Sequence, residues 1–222
     1  MTDDHTKYAQ LLEQHDADAQ MRRYNAKRCL ELLHQHLPFR SVIDFGCGLG
    51  FWLLEAKQLG ADFVFGVERE WARDRHHLEL GEIMLGDLSQ ARFNFDDDFD
   101  LAICIEVAEH LPATASQDLI TSLTRAADVV LFSAAYPGQG GTGHINEQMP
   151  KYWVDRFWQR GFVPLEMIRP WIADDPDIYF WLARNLMVFV AYDRFIQEPE
   201  LMQFAEPRSH FDRPYRKPVE TP

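Results

Sequence analysis

Four stretches of this chain bring together side chains whose types and spacing suit chemistry. Residues 42–50 read Val-Ile-Asp-Phe-Gly-Cys-Gly-Leu-Gly, with Gly46, Gly48 and Gly50 at alternate positions behind Asp44. Glycine lacks a Cβ, so a ligand can lie against the backbone N–H groups of a turn made from Gly46, Cys47 and Gly48. Phe51 stands where a dinucleotide fingerprint needs another glycine, which disfavours a nicotinamide-dependent reductase. Glu68 follows about 20 positions later at the end of an apolar run, where a carboxylate can accept both hydroxyls of a ribose. Glu106-Val-Ala-Glu109-His110 follows another apolar run, and His144 closes a glycine-rich stretch. His110 and His144 are candidate general bases, because imidazole titrates near neutral pH without perturbation.

The elements that would position these residues alternate between strand and helix. Helical spacing of apolar residues over 6–37 predicts two helices, parted near Gln14–Asp18 and ended by Pro38. Strands are predicted at Ser41–Phe45, Asp62–Val67, Glu82–Leu85, Phe99–Ile105, Asp128–Ala134, Phe162–Ile168 and Leu186–Tyr192. Helices are predicted at Leu49–Leu59, Trp71–Leu80, Thr114–Ala126 and Lys151–Arg160. In open α/β sheets, ligands sit outside the carboxyl ends of the strands. Glu106, Glu109 and His110 should therefore line a pocket, and the loop 137–143 beside it suits a lid. Phe195–Pro222 carries five prolines and predicts an extended tail.

The run from Asp44 to Gly50 resembles the first motif, D/E-x-G-x-G-x-G, of the class I S-adenosylmethionine-dependent methyltransferases. The resemblance to the cofactor core covers about residues 41–135. It implies a Rossmann-like, doubly wound α/β fold with a seven-stranded, mostly parallel sheet, an antiparallel last strand and an N-terminal helical cap. It implies a cap at 1–40, a catalytic domain at 41–195 and a tail at 196–222. It also implies S-adenosylmethionine held by Asp44, Gly46, Cys47, Gly48 and Glu68, with Asp87 accepting the adenine amino group and a backbone N–H from Leu88 beside the ring. Glu106 would touch the cofactor, and Glu106, His110 and His144 would face the acceptor. Arg22, Arg23 and Tyr24 on the cap could reach the cofactor's carboxylate; ordinary surface placement is the other reading.

Glu106-x-x-Glu109-His110 with His144 is also similar to the two-glutamate, two-histidine set with which small-RNA 2′-O-methyltransferases hold magnesium. Quinone-biosynthesis O-methyltransferases carry a similar E-x-x-E-H stretch. The readings that follow are O-methylation of a small molecule or sugar, metal-assisted methylation of RNA, or cofactor binding by a non-catalytic regulatory protein. Trp153, Trp171, Tyr179 and Trp181 could wall the acceptor pocket or fill the core.

Composition narrows these readings. The chain has 222 residues, 46% of them apolar, and a formal net charge of −13 with no long basic run, which argues against nucleic acid as the main partner. The three cysteines, Cys29, Cys47 and Cys104, suit neither a zinc set nor a disulfide framework. No apolar run approaches the ~20 residues that span a bilayer. With a polar, acidic start, Met-Thr-Asp-Asp-His-Thr, the expectation is a cytoplasmic protein with a small-molecule acceptor and room for a homodimer.

Overall fold

A computed structural model describes residues 10, 12–90, 92–95 and 99–217. Seven strands, β1 (Ser41–Phe45), β2 (Phe63–Glu68), β3 (Ile83–Leu85), β4 (Leu101–Ile105), β5 (Val129–Ser133), β6 (Phe162–Leu165) and β7 (Met187–Ala191), form one sheet in the order β3-β2-β1-β4-β5-β7-β6. All neighbours pair in parallel except β7, which runs antiparallel to both β5 and β6. The anticipated doubly wound sheet with its antiparallel last strand is thus the observed one.

Alternation along the strands decides which face each residue buries. Val42, Val64, Leu101, Val129, Leu131 and Val188 point to one side, where α1 (Ala19–His34) and α2 (Phe51–Gln58) bring Cys29, Leu30, Leu33 and Leu53. Ile43, Phe45, Ala102, Cys104, Val130, Phe132 and Phe189 point to the other. There α3 (Ser116–Ala126) brings Leu119 and Leu123, and α4 (Pro150–Gln159) brings Trp153 and Phe157. Phe157 stacks on Phe189 with ring centres 3.8 Å apart. Parallel strands covered on both faces should be apolar, and β4 is throughout, as is β5 up to its last residue, Ser133. Three short helices, α5 (Arg169–Ile172), α6 (Phe180–Asn185) and α7 (Tyr192–Gln197), lie around β7 in the chain.

Two expectations need correction. The helix expected at Trp71–Leu80 is only a 3₁₀ turn, Glu70–Ala72, followed by turns. This stretch lacks an apolar stripe, and its one buried leucine, Leu78, is drawn onto the glycine turn. A Cβ on Gly50 would meet Leu78 Cγ at 2.6 Å, and His77 N–H donates to Leu49 O at 3.0 Å. The tail is not extended where it is described. It winds through α7 and 3₁₀ turns at Pro199–Phe204 and Arg208–Asp212, burying Leu201, Phe211 and Tyr215. Residues 218–222 lie outside the described residues.

The tail also covers the free edge of β6. Leu165 bridges to Ala205, and Glu166 N–H donates to Phe204 O at 2.8 Å. Buried Arg169 pairs with the Glu166 carboxylate and lies 5.4 Å from the centre of the Phe211 ring, while His210 Nε2 meets Glu166 Oε2 at 2.9 Å. The hydrogen bond to Glu166 holds His210 above its ordinary value of 6.5, with Glu206 adding to that and burial and Arg169 opposing it. A raised folded value means that His210 helps dock the tail fully below about pH 6.5, and that this help is lost as pH rises through the folded value. Amide exchange across 206–215 should therefore quicken over that range. A His210→Asn variant should show a flatter pH dependence, and an unchanged profile would refute the link.

Candidate active site

The carboxyl ends of β1, β2 and β4 open into a cavity of about 400 Å³ between the sheet and the N-terminal helices. Its floor is the glycine turn. Gly46, Gly48 and Gly50 all have positive φ, at 85°, 55° and 87°. At Gly46 a Cβ would lie 2.5 Å from Val107 Cγ2, so both the backbone and the space exclude a larger residue. Gly46 N–H donates to Val67 O at 2.7 Å, binding the turn to the end of β2.

Glu68 completes this floor. Its carboxylate accepts the Gly48 N–H at 2.9 Å through one oxygen and the Arg69 N–H at 2.7 Å through the other. Burial raises its pKa, and those two backbone donors only partly offset the rise. Asp44 lies beneath the turn rather than on the cavity wall, in register with Gly66 and Ile103. Burial and then the charge of Glu68 hold its carboxyl well above the usual range. Cys47 and Leu88 line the cavity. Asp87 does not: its carboxylate caps Ser89 N–H at 2.9 Å and approaches Arg69 Nη2 at 3.3 Å.

The opposite end holds the candidate bases. Glu106 has φ +53°, a left-handed backbone rare outside glycine, and its side chain reaches into the cavity. Gln139 Nε2 donates to its Oε2 at 3.0 Å, and Asn185 Nδ2 to its Oε1 at 3.2 Å. Asn185 Nδ2 also donates to Gln139 Oε1 at 2.8 Å, closing a ring of three side chains. His110 and His144 both line the cavity, with their rings edge to face at 4.9 Å. His144 Nδ1 meets Glu147 Oε1 at 2.9 Å, and Glu147 also accepts the N–H groups of Gly138 and Gly140, so one carboxylate folds the glycine-rich loop and orients the imidazole.

Glu109 sits behind the histidines, fully buried, with neither carboxylate oxygen in a hydrogen bond. Burial, then the neighbouring Glu106, hold it well above the usual carboxylate range. One ligand atom each from Glu109, His110 and His144 lies within 4.8 Å of the others, a spacing that fits a divalent ion. Of the four residues in the set read from the sequence, Glu109, His110 and His144 form this trio, while Glu106 is held by Gln139 and Asn185.

The cap contributes more than the sequence suggested. Arg22 lines the cavity together with His15, which the sequence reading missed. Burial, then Arg22, push His15 down to about 3, so it is neutral at physiological pH. Arg23 instead pairs with Glu55, and Tyr24 donates to Asp175 outside the cavity. Of the four aromatic candidates, Tyr179 and Trp181 form a cavity wall, stacked 4.4 Å apart. Trp153 is buried in the core against Phe132, and Trp171 is exposed. Gln139 and Asn185 were not foreseen, because neither belongs to a local pattern that marks a site.

A family model described as a Methyltransferase domain matches residues 17–135, just over half of the chain, and the chain belongs to that family. The ubiquinone biosynthesis O-methyltransferase of Burkholderia thailandensis is 34% identical over 92 residues, which cover 37% of this chain and 38% of that protein. The chain therefore aligns with well under half of that relative's length. Among solved structures, DesVI of Streptomyces venezuelae superposes with a TM-score of 0.56 at 16% identity, covering 77% of this chain and 92% of that one. Human N-acetylserotonin methyltransferase, solved in complex with S-adenosylmethionine, gives 0.55 at 13% identity over 84% of this chain and 56% of that one. At these identities the likeness establishes the fold alone, that of the class I methyltransferases.

A Gly46→Ala variant tests the tightness of the turn. Left-handed backbone costs about 1–2 kcal/mol, and the overlap with Val107 adds about 1–3 kcal/mol. Chemical denaturation should read a loss in that combined range, whereas a loss below about 1 kcal/mol would show that the turn relaxes freely.

Proposed function

We propose that this protein is an S-adenosylmethionine-dependent methyltransferase acting on a hydroxyl of a small molecule or sugar. The observation that carries the reading is the Glu68 carboxylate bonded to the Gly48 N–H on the cavity floor. That arrangement sets a ribose-gripping acid beside a backbone that a ligand can approach closely. The relative's printed name, an O-methyltransferase of ubiquinone biosynthesis, supports a hydroxyl acceptor. The stacked Tyr179–Trp181 wall supports a planar or sugar-like one.

S-adenosylmethionine, when bound, supplies an electrophilic methyl group on a sulfonium that departs as a neutral thioether. The chain supplies position and a proton acceptor. Glu68 and the glycine turn hold the nucleoside, Leu88 borders the base, and Arg22 stands over the amino-acid end. Asp44 acts from beneath the turn, and Asp87 through its neighbours. His144 is the general base. Its Nδ1 faces the Glu147 carboxylate, which favours a proton there and leaves Nε2 with the lone pair. Nε2, on a ring that lines the cavity, would take the proton of an acceptor hydroxyl as that oxygen is methylated. His110 packs against His144 and helps to exclude water.

Calorimetry with S-adenosylhomocysteine tests the cofactor reading. The wild type should bind it, and Glu68→Ala should weaken binding at least tenfold; a wild type without affinity would overturn the assignment. A screen of hydroxylated metabolites and sugars with labelled methyl donor should then identify an acceptor whose turnover falls on the order of 10²–10⁴-fold in His144→Ala.

A second reading is favoured by the buried, unbonded carboxylate oxygens of Glu109. In it Glu109, His110 and His144 hold a divalent ion, which would polarise the acceptor oxygen. Magnesium or manganese should then raise the melting temperature of the wild type but not of Glu109→Gln. A wild type insensitive to both metals removes this reading and leaves the metal-free one standing.

A further inference from the structure

A second cavity, of about 500 Å³, lies beside the glycine-rich loop and is lined by Tyr136, Met149, Arg184, Arg213, Tyr215 and Arg216. We propose that it binds the phosphate-bearing end of the acceptor, making the substrate a phosphorylated or diphosphate-linked small molecule. The proposal rests on the methyl-transfer reading and narrows its substrate class.

Charge is the first argument. The chain carries a net charge of −13, and its exposed arginines mostly have a carboxylate close by. Arg40 pairs with Asp62, Arg73 with Glu70, Arg75 with Glu13, Arg92 with Asp118 and Arg208 with Asp155. Like exposed Arg160, which bonds to a threonine hydroxyl, Arg184, Arg213 and Arg216 have no acidic partner within 4 Å among the described residues, and these three are gathered around one cavity. Three uncompensated guanidinium groups around one cavity in an acidic protein call for an anion from outside. The planar donor fork of arginine matches phosphate oxygens two at a time.

Construction is the second argument. Arg184 Nη1 donates to the Tyr136 hydroxyl at 2.8 Å, which sets a phenol beside the guanidinium. The Arg184 carbonyl accepts Arg169 Nη1 at 3.0 Å and Tyr215 N–H at 3.2 Å, tying the tail to α6. Tyr215 is buried 4.9 Å from the Arg169 guanidinium, and Phe211 is fully buried. Arg213 and Arg216 therefore project from a docked segment whose anchors fix where they stand.

Position is the third argument. Tyr136 begins the loop that carries Gln139 into the reaction cavity. Asn185, the residue after Arg184, donates to Glu106 and Gln139 there. The two cavities thus share a wall at the end of α6 and the base of the loop. A molecule with its anionic end among the arginines would present its hydroxyl end to His144 past that wall. Backbone phosphates of RNA could use the same guanidinium groups, but the acidity of the chain favours a compact ligand.

The test uses inorganic pyrophosphate, titrated by calorimetry into the full chain in buffer containing EDTA, so that no metal at Glu109 takes part. The wild type should bind it, and R213Q/R216Q should weaken binding at least tenfold while leaving S-adenosylhomocysteine affinity unchanged. Retained nucleoside binding also shows that the variant is folded. Tyr136→Phe, which keeps the ring, should weaken pyrophosphate binding by a smaller factor. No pyrophosphate binding by the wild type, or equal binding by R213Q/R216Q, would overturn the proposal. So would a single-stranded oligoribonucleotide, or a vesicle containing phosphatidylglycerol, that binds through these arginines where pyrophosphate does not. Pyrophosphate binding in a wild type with no affinity for S-adenosylhomocysteine would refute the methyl-transfer reading instead, and with it the role of the anion as acceptor.

Discussion

The structure depends on how closely two strand ends approach at the glycine turn. Gly48 N–H reaches the Glu68 carboxylate at 2.9 Å, while Gly46 N–H reaches Val67 O at 2.7 Å. Both bonds join the loop after β1 to the end of β2, and both require a turn whose glycines sit at positive φ. The neighbours fit around the missing side chains. Val107 fills the space that a Cβ at Gly46 would take, Leu78 does so at Gly50, and Cys47 Sγ at Gly66. These contacts bring β4, the segment after β2 and the turn itself into one packed unit, so the cavity floor is fixed before any ligand arrives.

Much of the sheet was legible in the sequence because burial on two faces imposes a pattern. Val129-Val-Leu-Phe-Ser133 can only be an interior strand, and its alternate residues divide between the two cores as the pleat requires. The stretch 71–80 was misread because its fate was set by a partner distant in sequence. Leu78 is wanted by the glycine turn, and that tertiary demand overrides the local preference of a polar, arginine-rich segment. The tail was misread for a similar reason. Five prolines suggest extension, but Phe211 and Tyr215 find a buried arginine, Arg169, to pack against, and nothing near 211 in sequence announces that partner.

The site divides along the same line. Gly46, Gly48 and Glu68 were readable because a recurrent local geometry produced them. Gln139, Asn185 and Arg184 were not, since each acts through contacts that span 33 to 79 residues of sequence or through a neighbouring loop. The histidines lie between these cases. Their presence near strand ends was visible, but only the fold shows that Glu109 stands behind His144. Glu106 illustrates the limit: its position was foreseen, but its left-handed backbone and its ring of amide donors were not.

The polarity of the main cavity gives the cofactor reading a further physical basis. Its floor is acidic: Asp44 and Glu68 are buried close together, and burial raises both above the usual carboxylate range. Such acids are stabilised in their charged form by a positive group nearby, and no lysine or arginine of the floor itself supplies one fully, because Arg69 turns toward Asp87. The cap has the opposite character. Arg22 is desolvated above the cavity, and His15 beside it is kept neutral by burial and by that same guanidinium. A ligand that offers hydroxyls to Glu68 on the floor and a carboxylate to Arg22 on the cap would meet both at once. The buried carboxylates of the floor and the desolvated guanidinium of the cap thus give the cavity two parts of opposite character, with Glu68 and Arg22 supplied by segments that the glycine motif does not include.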